Sequence, residues 1–234
     1  IIYFNPSPED KNFISKIFKK REYHLYKIPK RSEIKNYTEL SKLREQSCKR
    51  NSSDFELQPQ QKFLSNFINP DTPYRGLLIF HGTGVGKTCA AIQIAEKFKE
   101  QVDKYNTKIY VVVSGPALEQ NFKDELMGDC TGDTYVIKTG DLNTPENEIK
   151  RGKALINQYY EIITYKKLLR KVLGEKIRSQ TKEYIRDESG NVIREKSTNQ
   201  IISLSNTIII VDEAHSISGN DYGQALRRVM NKKN

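Results

Sequence analysis

Cysteine is scarce in this 234-residue sequence, and the three present (Cys48, Cys89, Cys130) are odd in number and scattered. Their spacing matches neither a metal-binding nor a redox motif. Apolar residues are also in short supply, at 36% against 29% charged, which leaves a real core under a highly charged, lysine-rich surface. No apolar run approaches the length of a membrane span, and the basic start lacks the apolar centre of a signal peptide. Acidic residues are outnumbered, 29 against 39 basic, for a net charge of +10. That excess favours an acidic polymer or anionic surface as partner. A solvated lysine-rich surface accounts for it equally well.

What is present is concentrated first in Gly76-Leu77-Leu78-Ile79-Phe80-His81-Gly82-Thr83-Gly84-Val85-Gly86-Lys87-Thr88. Four apolar residues run into alternating glycines and a Lys-Thr pair, and residues 89–98 then carry apolar side chains at helical spacing. This order predicts a strand, a phosphate loop and a helix. Glycines let the backbone bring its N–H groups up to phosphate oxygens, and the helix N-terminus adds its positive dipole end. Gly82, Thr83, Gly84, Val85, Gly86, Lys87 and Thr88 are the predicted nucleotide-binding residues. Lys87 is placed for the β- and γ-phosphates and the Thr88 hydroxyl for Mg²⁺. The strict pattern asks for glycine five residues before Gly86, where this chain has His81.

Residues 1–54 read as a basic arm and linker, with Tyr23, Tyr26 and Tyr37 among lysines and arginines. Such interleaving binds nucleic acid by stacking and charge, or packs as an arm on the rest of the protein. From residue 55 a single α/β unit is expected, extending to 234. Phe63, Leu64, Phe67 and Ile68 have helical periodicity, closed by Pro70 and Pro73. The apolar β-branched run at 108–114 predicts a parallel strand buried on both faces, 160–164 and 207–211 two further strands, and 135–137 a weaker one. Helices are expected between them, including one from about 144 to 158 and a short one over 166–172. Residues 174–200 are charged and break the rhythm as a surface insertion, with a small hairpin at 184–194. The alternation implies a doubly wound, mostly parallel sheet with helices on both faces, and ligands at the carboxyl ends of its strands.

The last of these strands runs into Asp212-Glu213-Ala214-His215. An Asp at the end of a buried strand holds Mg²⁺, usually through water, and a neighbouring carboxylate orients and deprotonates an attacking water. Asp212 takes the first role and Glu213 the second. With Lys87, they are the candidate catalytic residues, and Thr88 with Asp212 the candidate metal site. His215 either couples nucleotide state to the rest of the protein or simply caps and packs.

Gly-Thr-Gly-Val-Gly-Lys-Thr followed by Val-Asp-Glu-Ala-His resembles motifs I and II of superfamily 2 helicases and translocases. Leu57-Gln58-Pro59-Gln60-Gln61 resembles the Leu-x-Pro-Tyr-Gln segment of Swi/Snf-type ATPases, with Gln60 replacing the aromatic. By that match Gln61 would read the adenine edge. Residues 113–118 resemble motif Ia and 163–165 motif Ib, which carries nucleic-acid backbone contacts over to Ser114, Pro116, Thr164 and Tyr165. The phrases around residues 80–88, 159–165 and 210–215 are similar to the viral branch, which includes poxvirus nucleoside triphosphatase I and the small subunit of the poxvirus early transcription factor.

The resemblance implies a RecA-like P-loop lobe that uses ATP and Mg²⁺ and hydrolyses ATP on DNA or RNA. It implies RNA polymerase or transcription-factor subunits as partners, no membrane, and a place in the virion and host cytoplasm. A second lobe with an arginine finger is expected beyond residue 234, so these residues alone would turn over slowly or not at all. Three rivals stand beside this: a strand-separating helicase or restriction-type motor, a binding module with a vestigial ATPase site, and a P-loop kinase or transport ATPase.

Overall fold

The computed structural model describes residues 5–27, 36–49, 55–82, 84–136, 145–174, 183, 185–193 and 200–230. It divides into two compact units, Ile1–Lys97 and Phe98–Asn234.

The first unit contains α1 (Phe13–Lys19), α2 (Arg21–His24), α3 (Tyr37–Lys49), α4 (Pro59–Phe67) and α5 (Lys87–Glu96). Proline at the first position of α4 costs no hydrogen bond, because that N–H has no helical partner. Phe63 and Phe67 lie four residues apart and so share one face. Phe67 stacks on Tyr74 at 4.3 Å, and Tyr23 of the arm lies 5.4 Å from Phe63. The Tyr74 hydroxyl donates to the Pro6 carbonyl at 3.0 Å. Tyr23 and Ile17 are thereby buried, whereas Tyr37 is 79% exposed. Of the two uses open to the arm's aromatics, packing therefore takes Tyr23. The linker at 50–54 lies outside the described residues.

One expected element is absent. Leu77–Phe80 has no regular secondary structure, no described strand pairs with it, and Leu78 and Phe80 are 80% and 93% exposed. An apolar run becomes a strand only when a neighbour supplies its ladder, and that is a non-local condition the run itself does not fix. The helix that follows does form, burying Cys89, Ala90, Ile92, Ile94 and Ala95.

The second unit holds α6 (Lys99–Lys104), β1 (Ile109–Val113), α7 (Pro116–Leu126), α8 (Pro145–Tyr159), β2 (Tyr160–Thr164), α9 (Tyr165–Leu173), β3 (Ile208–Val211) and α10 (Asp221–Met230). The strands form a parallel sheet in the order β2-β1-β3. Central β1 is the most buried, with Ile109 and Val111 to Val113 sealed from solvent. Each such side chain contributes roughly 1.5–3 kcal/mol. Its alternation splits the core. Val112 and Ile163 pack with Leu168 and Val172 of α9 and Ala225 and Val229 of α10, while α7 and α8 lie against β1 and β2. Helices therefore cover both faces of a parallel sheet, the arrangement of a RecA-like lobe.

The weak strand at 135–137 is not formed over its described part. Tyr135 is instead buried 6.3 Å from the Tyr160 ring, with the Lys99 ammonium 4.8 Å from its centroid. Ile137 lies outside the described residues, as do Tyr184 and Arg194 of the expected hairpin. The hairpin's described centre closes through an Arg186–Val192 bridge, with Asp187 accepting from the Ser189 and Asn191 N–H groups at 2.9 Å each.

Candidate functional site

In the first unit the glycine loop enters α5 through Gly86, whose φ of 75° lies in the left-handed region; Gly84 has φ 73°. Left-handed residues in such loops build the concavities in which backbone N–H groups gather around anions. Lys87 and Thr88 form the first turn of α5 and are half-buried. There is space over the loop: a Cβ on Gly82 or Gly84 would meet nothing within 4 Å. Thr83 lies outside the described residues. Val85 is 43% exposed. The Nδ1 of His81 is buried with no hydrogen-bond partner among the described residues.

Gln61 is 4% exposed and has both ends of its amide engaged. Its Oε1 accepts from the Gln58 N–H at 2.8 Å, and its Nε2 donates to the Gly86 carbonyl at 3.1 Å. That carbonyl also accepts the Ala90 N–H at 3.0 Å, the first helical bond of α5. A side chain at 86 would place its Cβ 2.5 Å from Gln61 Nε2. Gln61 therefore grips the loop where it becomes helix. These bonds leave the amide a second N–H and a second oxygen lone pair, so it is burial rather than saturation that limits its approach to an adenine edge. The Gln-Pro-x-Gln spacing fits this geometry, since it puts Gln61 in the first turn of α4, yet only the fold shows what its amide reaches.

In the second unit the remaining candidates converge on the carboxyl ends of three parallel strands. Val113 lies opposite Thr164 and Val112 opposite Val211. Ser114 and Pro116 therefore leave β1 beside Thr164 and Tyr165 at the end of β2 and Asp212 at the end of β3. Ser114 and Pro116 are exposed, and Pro116 opens α7. Thr164 caps α9, its Oγ1 accepting the Lys167 N–H at 3.3 Å.

Asp212 continues the ladder one residue beyond β3, its N–H donating to the Val112 carbonyl at 3.0 Å. The chain then turns sharply at Glu213 (φ 51°, ψ 49°) into a 3-10 turn over Ala214–Ile217. This left-handed conformation is uncommon outside glycine and asparagine, and composition gives no sign of it. Glu213 Oε2 lies 3.2 Å from Nδ1 of His215, whose side chain is 78% exposed. Of the two readings of His215, this is a polar pairing with the candidate base rather than burial.

Tyr165 requires a correction. It is 5% exposed and offers no surface to a nucleic-acid backbone. Its ring packs 5.9 Å from that of Tyr222, and its hydroxyl donates to the Asp212 carbonyl, with the Glu213 carbonyl 3.2 Å away. Burial, then the nearby Asp212 and Glu213 charges, raises its ionisation above the ordinary phenol value and keeps the hydroxyl a donor. Nothing in the Ile-Thr-Tyr run indicates whether that ring faces in or out.

Comparison with known proteins identifies the family. A family model described as "Type III restriction enzyme, res subunit" matches residues 54–234. A protein of Acanthamoeba polyphaga mimivirus that carries the name of an ATP-dependent RNA helicase is 46% identical over 238 residues, covering 96% of this chain and 20% of that protein. A second mimivirus protein of like name is 34% identical, covering 89% of this chain and 30% of its own length. An African swine fever virus homologue of an early transcription factor subunit is 51% identical over 43 residues, 18% of this chain and 4% of that protein. The subunit named there is the large one, not the small one of the poxvirus resemblance. The chain thus spans 20% and 30% of the length of the first two relatives it matches. No solved structure matches it. By the match over residues 54–234, the chain belongs to the family of the type III restriction enzyme res subunit, here in its helicase-type, large-DNA-virus form.

Proposed function

We propose that residues 55–234 form the ATP-binding lobe of a nucleic-acid-stimulated ATPase of the superfamily 2 type, viral and serving transcription. The observation that carries this is the Asp212-Glu213 turn at the carboxyl end of a parallel strand, in the same chain as a glycine loop that opens α5 on Lys87 and Thr88. The loop's left-handed glycines and the space over them suit a polyphosphate. Loop N–H groups and Lys87 bind the phosphates. The Thr88 hydroxyl and Asp212 carboxylate are hard oxygen donors of the kind Mg²⁺ takes, and the ion would supply charge neutralisation at the phosphates. Glu213 orients a water and accepts its proton as the water's oxygen attacks the γ-phosphorus, while the bond from that phosphorus to the β–γ bridging oxygen breaks and ADP leaves with the electron pair. His215, paired with Glu213, is the residue through which this site would report to the rest of the protein.

Ser114, Pro116 and Thr164 are proposed to meet the backbone of DNA or RNA. Polymerase or transcription-factor subunits are proposed as partners, in the virion and host cytoplasm, and a second lobe as the source of an arginine finger. The relatives named as ATP-dependent RNA helicases and as an early transcription factor subunit support this reading. A restriction-type motor is the second reading, favoured by the description of the family. The test is nucleotide turnover by the full-length protein with and without nucleic acid. The reading expects one polymer to raise the rate; a rate indifferent to single-stranded DNA, duplex DNA and RNA would overturn it.

A further inference from the structure

We propose that Tyr165 is a positioning residue for hydrolysis, its hydroxyl fixing the backbone of the Asp212–Glu213 turn and so the direction of both carboxylates. This rests on the reading of Asp212 and Glu213 given above.

The turn is held from several sides. The sheet fixes Asp212 through its N–H, bonded to the Val112 carbonyl at 3.0 Å. The Tyr165 hydroxyl fixes the other end of that residue, donating to the Asp212 carbonyl with the Glu213 carbonyl 3.2 Å away. The Glu213 carbonyl also accepts the Ser216 N–H at 2.8 Å.

The need for such a clamp is local. Glu213 sits in the left-handed region, a conformation that persists only where the surroundings over-determine it. Relaxing its φ and ψ would swing both carboxylates, and small misplacements of reacting groups are expensive in rate. Tyr165 is suited to the task because it is itself immobile. It opens α9 directly after β2, it is 5% exposed, and its ring lies against Tyr222 of α10. The bond therefore ties the turn to a packed core rather than to a loop.

Tyr165→Phe in the full-length protein keeps the ring and removes the hydroxyl. The expected result is a kcat for ATP lower by about tenfold, the equivalent of one well-made hydrogen bond, with KM unchanged and the thermal midpoint lowered by no more than the loss of that one bond. Tyr222→Phe, which alters a hydroxyl that makes neither of these bonds, should keep the parental kcat. Because Tyr165 is argued to act through Glu213, Tyr165→Phe should add no further loss in a Glu213→Gln background. If Tyr165→Phe keeps the parental kcat while Glu213→Gln loses it, the inference fails and the reading of the site stands. A fall in kcat matched by a proportionate rise in KM and a lowered thermal midpoint would mean packing alone and would equally overturn it. Parental turnover in Glu213→Gln itself would instead defeat the reading of the site.

Discussion

Replacing Gln61 by alanine separates two uses of one amide. In the structure its Oε1 takes the Gln58 N–H and its Nε2 reaches the Gly86 carbonyl. The two losses are unequal. Gln58 is exposed, so water replaces its partner at little cost. The Gly86 carbonyl keeps the Ala90 N–H but loses its link to buried Gln61. The stability lost is therefore about 1–2 kcal/mol, near the net worth of one to two ordinary bonds. The effect on nucleotide binding follows from loosening the loop. About 1 kcal/mol of lost preorganisation weakens affinity about fivefold, and it does so for any nucleoside triphosphate, because phosphates and not the base meet the loop. Titrating the full-length protein and its Gln61→Ala variant with ATP and GTP in Mg²⁺ measures this directly. Equal weakening of both nucleotides is expected. If ATP binding falls while GTP binding is untouched, Gln61 reads the base, and the argument from its two backbone bonds is refuted.

Two further predictions concern the scaffold. Burial first, then the charges of Tyr74 and Glu22, pushes the ionisation of Tyr23 from 10.0 up to about 12. The neutral phenol is the form the folded state favours, so its stabilisation of about 3 kcal/mol is complete below pH 10 and is lost as pH rises through 12. Urea midpoints across that window should fall in the parent and fall less in Tyr23→Phe; equal slopes would contradict the assignment. Gly223, in the first turn of α10, is buried with a would-be Cβ 2.3 Å from the Ile217 carbonyl oxygen. Gly223→Ala should cost about 1–3 kcal/mol in urea unfolding by pushing α10 off the turn that follows Glu213, and an unchanged midpoint would show that the contact yields freely.

Much of the second unit was legible in the sequence because its signals are local. The apolar runs at 109–113, 160–164 and 208–211 all pair in parallel, although Ile208–Val211 is only half-buried, and the helix predicted over 166–172 differs from α9 by one residue at each end. The failures are all non-local. Leu77 to Phe80 carries as good an apolar run as β1 but has no ladder partner among the described residues. Tyr135 has strand chemistry and is instead claimed by Lys99 and Tyr160. At the site, the residue types of the loop and of Asp212-Glu213 point to their chemistry from sequence alone. What holds them does not. Motif matches point Gln61 and Tyr165 toward ligands; the fold buries Tyr165 with its hydroxyl on a backbone carbonyl, and gives the Gln61 amide a carbonyl partner that the motif does not announce. A polar side chain's partner is set by which element packs beside it, and spacing along the chain carries little of that information.

The central claim is that Lys87 and the loop around it serve nucleotide hydrolysis driven by nucleic acid. The most direct measurement is ATP turnover by the full-length protein with single-stranded DNA, duplex DNA or RNA, beside Lys87→Ala. The account predicts that one of these polymers raises the rate and that Lys87→Ala abolishes turnover with or without it. Turnover that survives Lys87→Ala, or that ignores all three polymers, would contradict it.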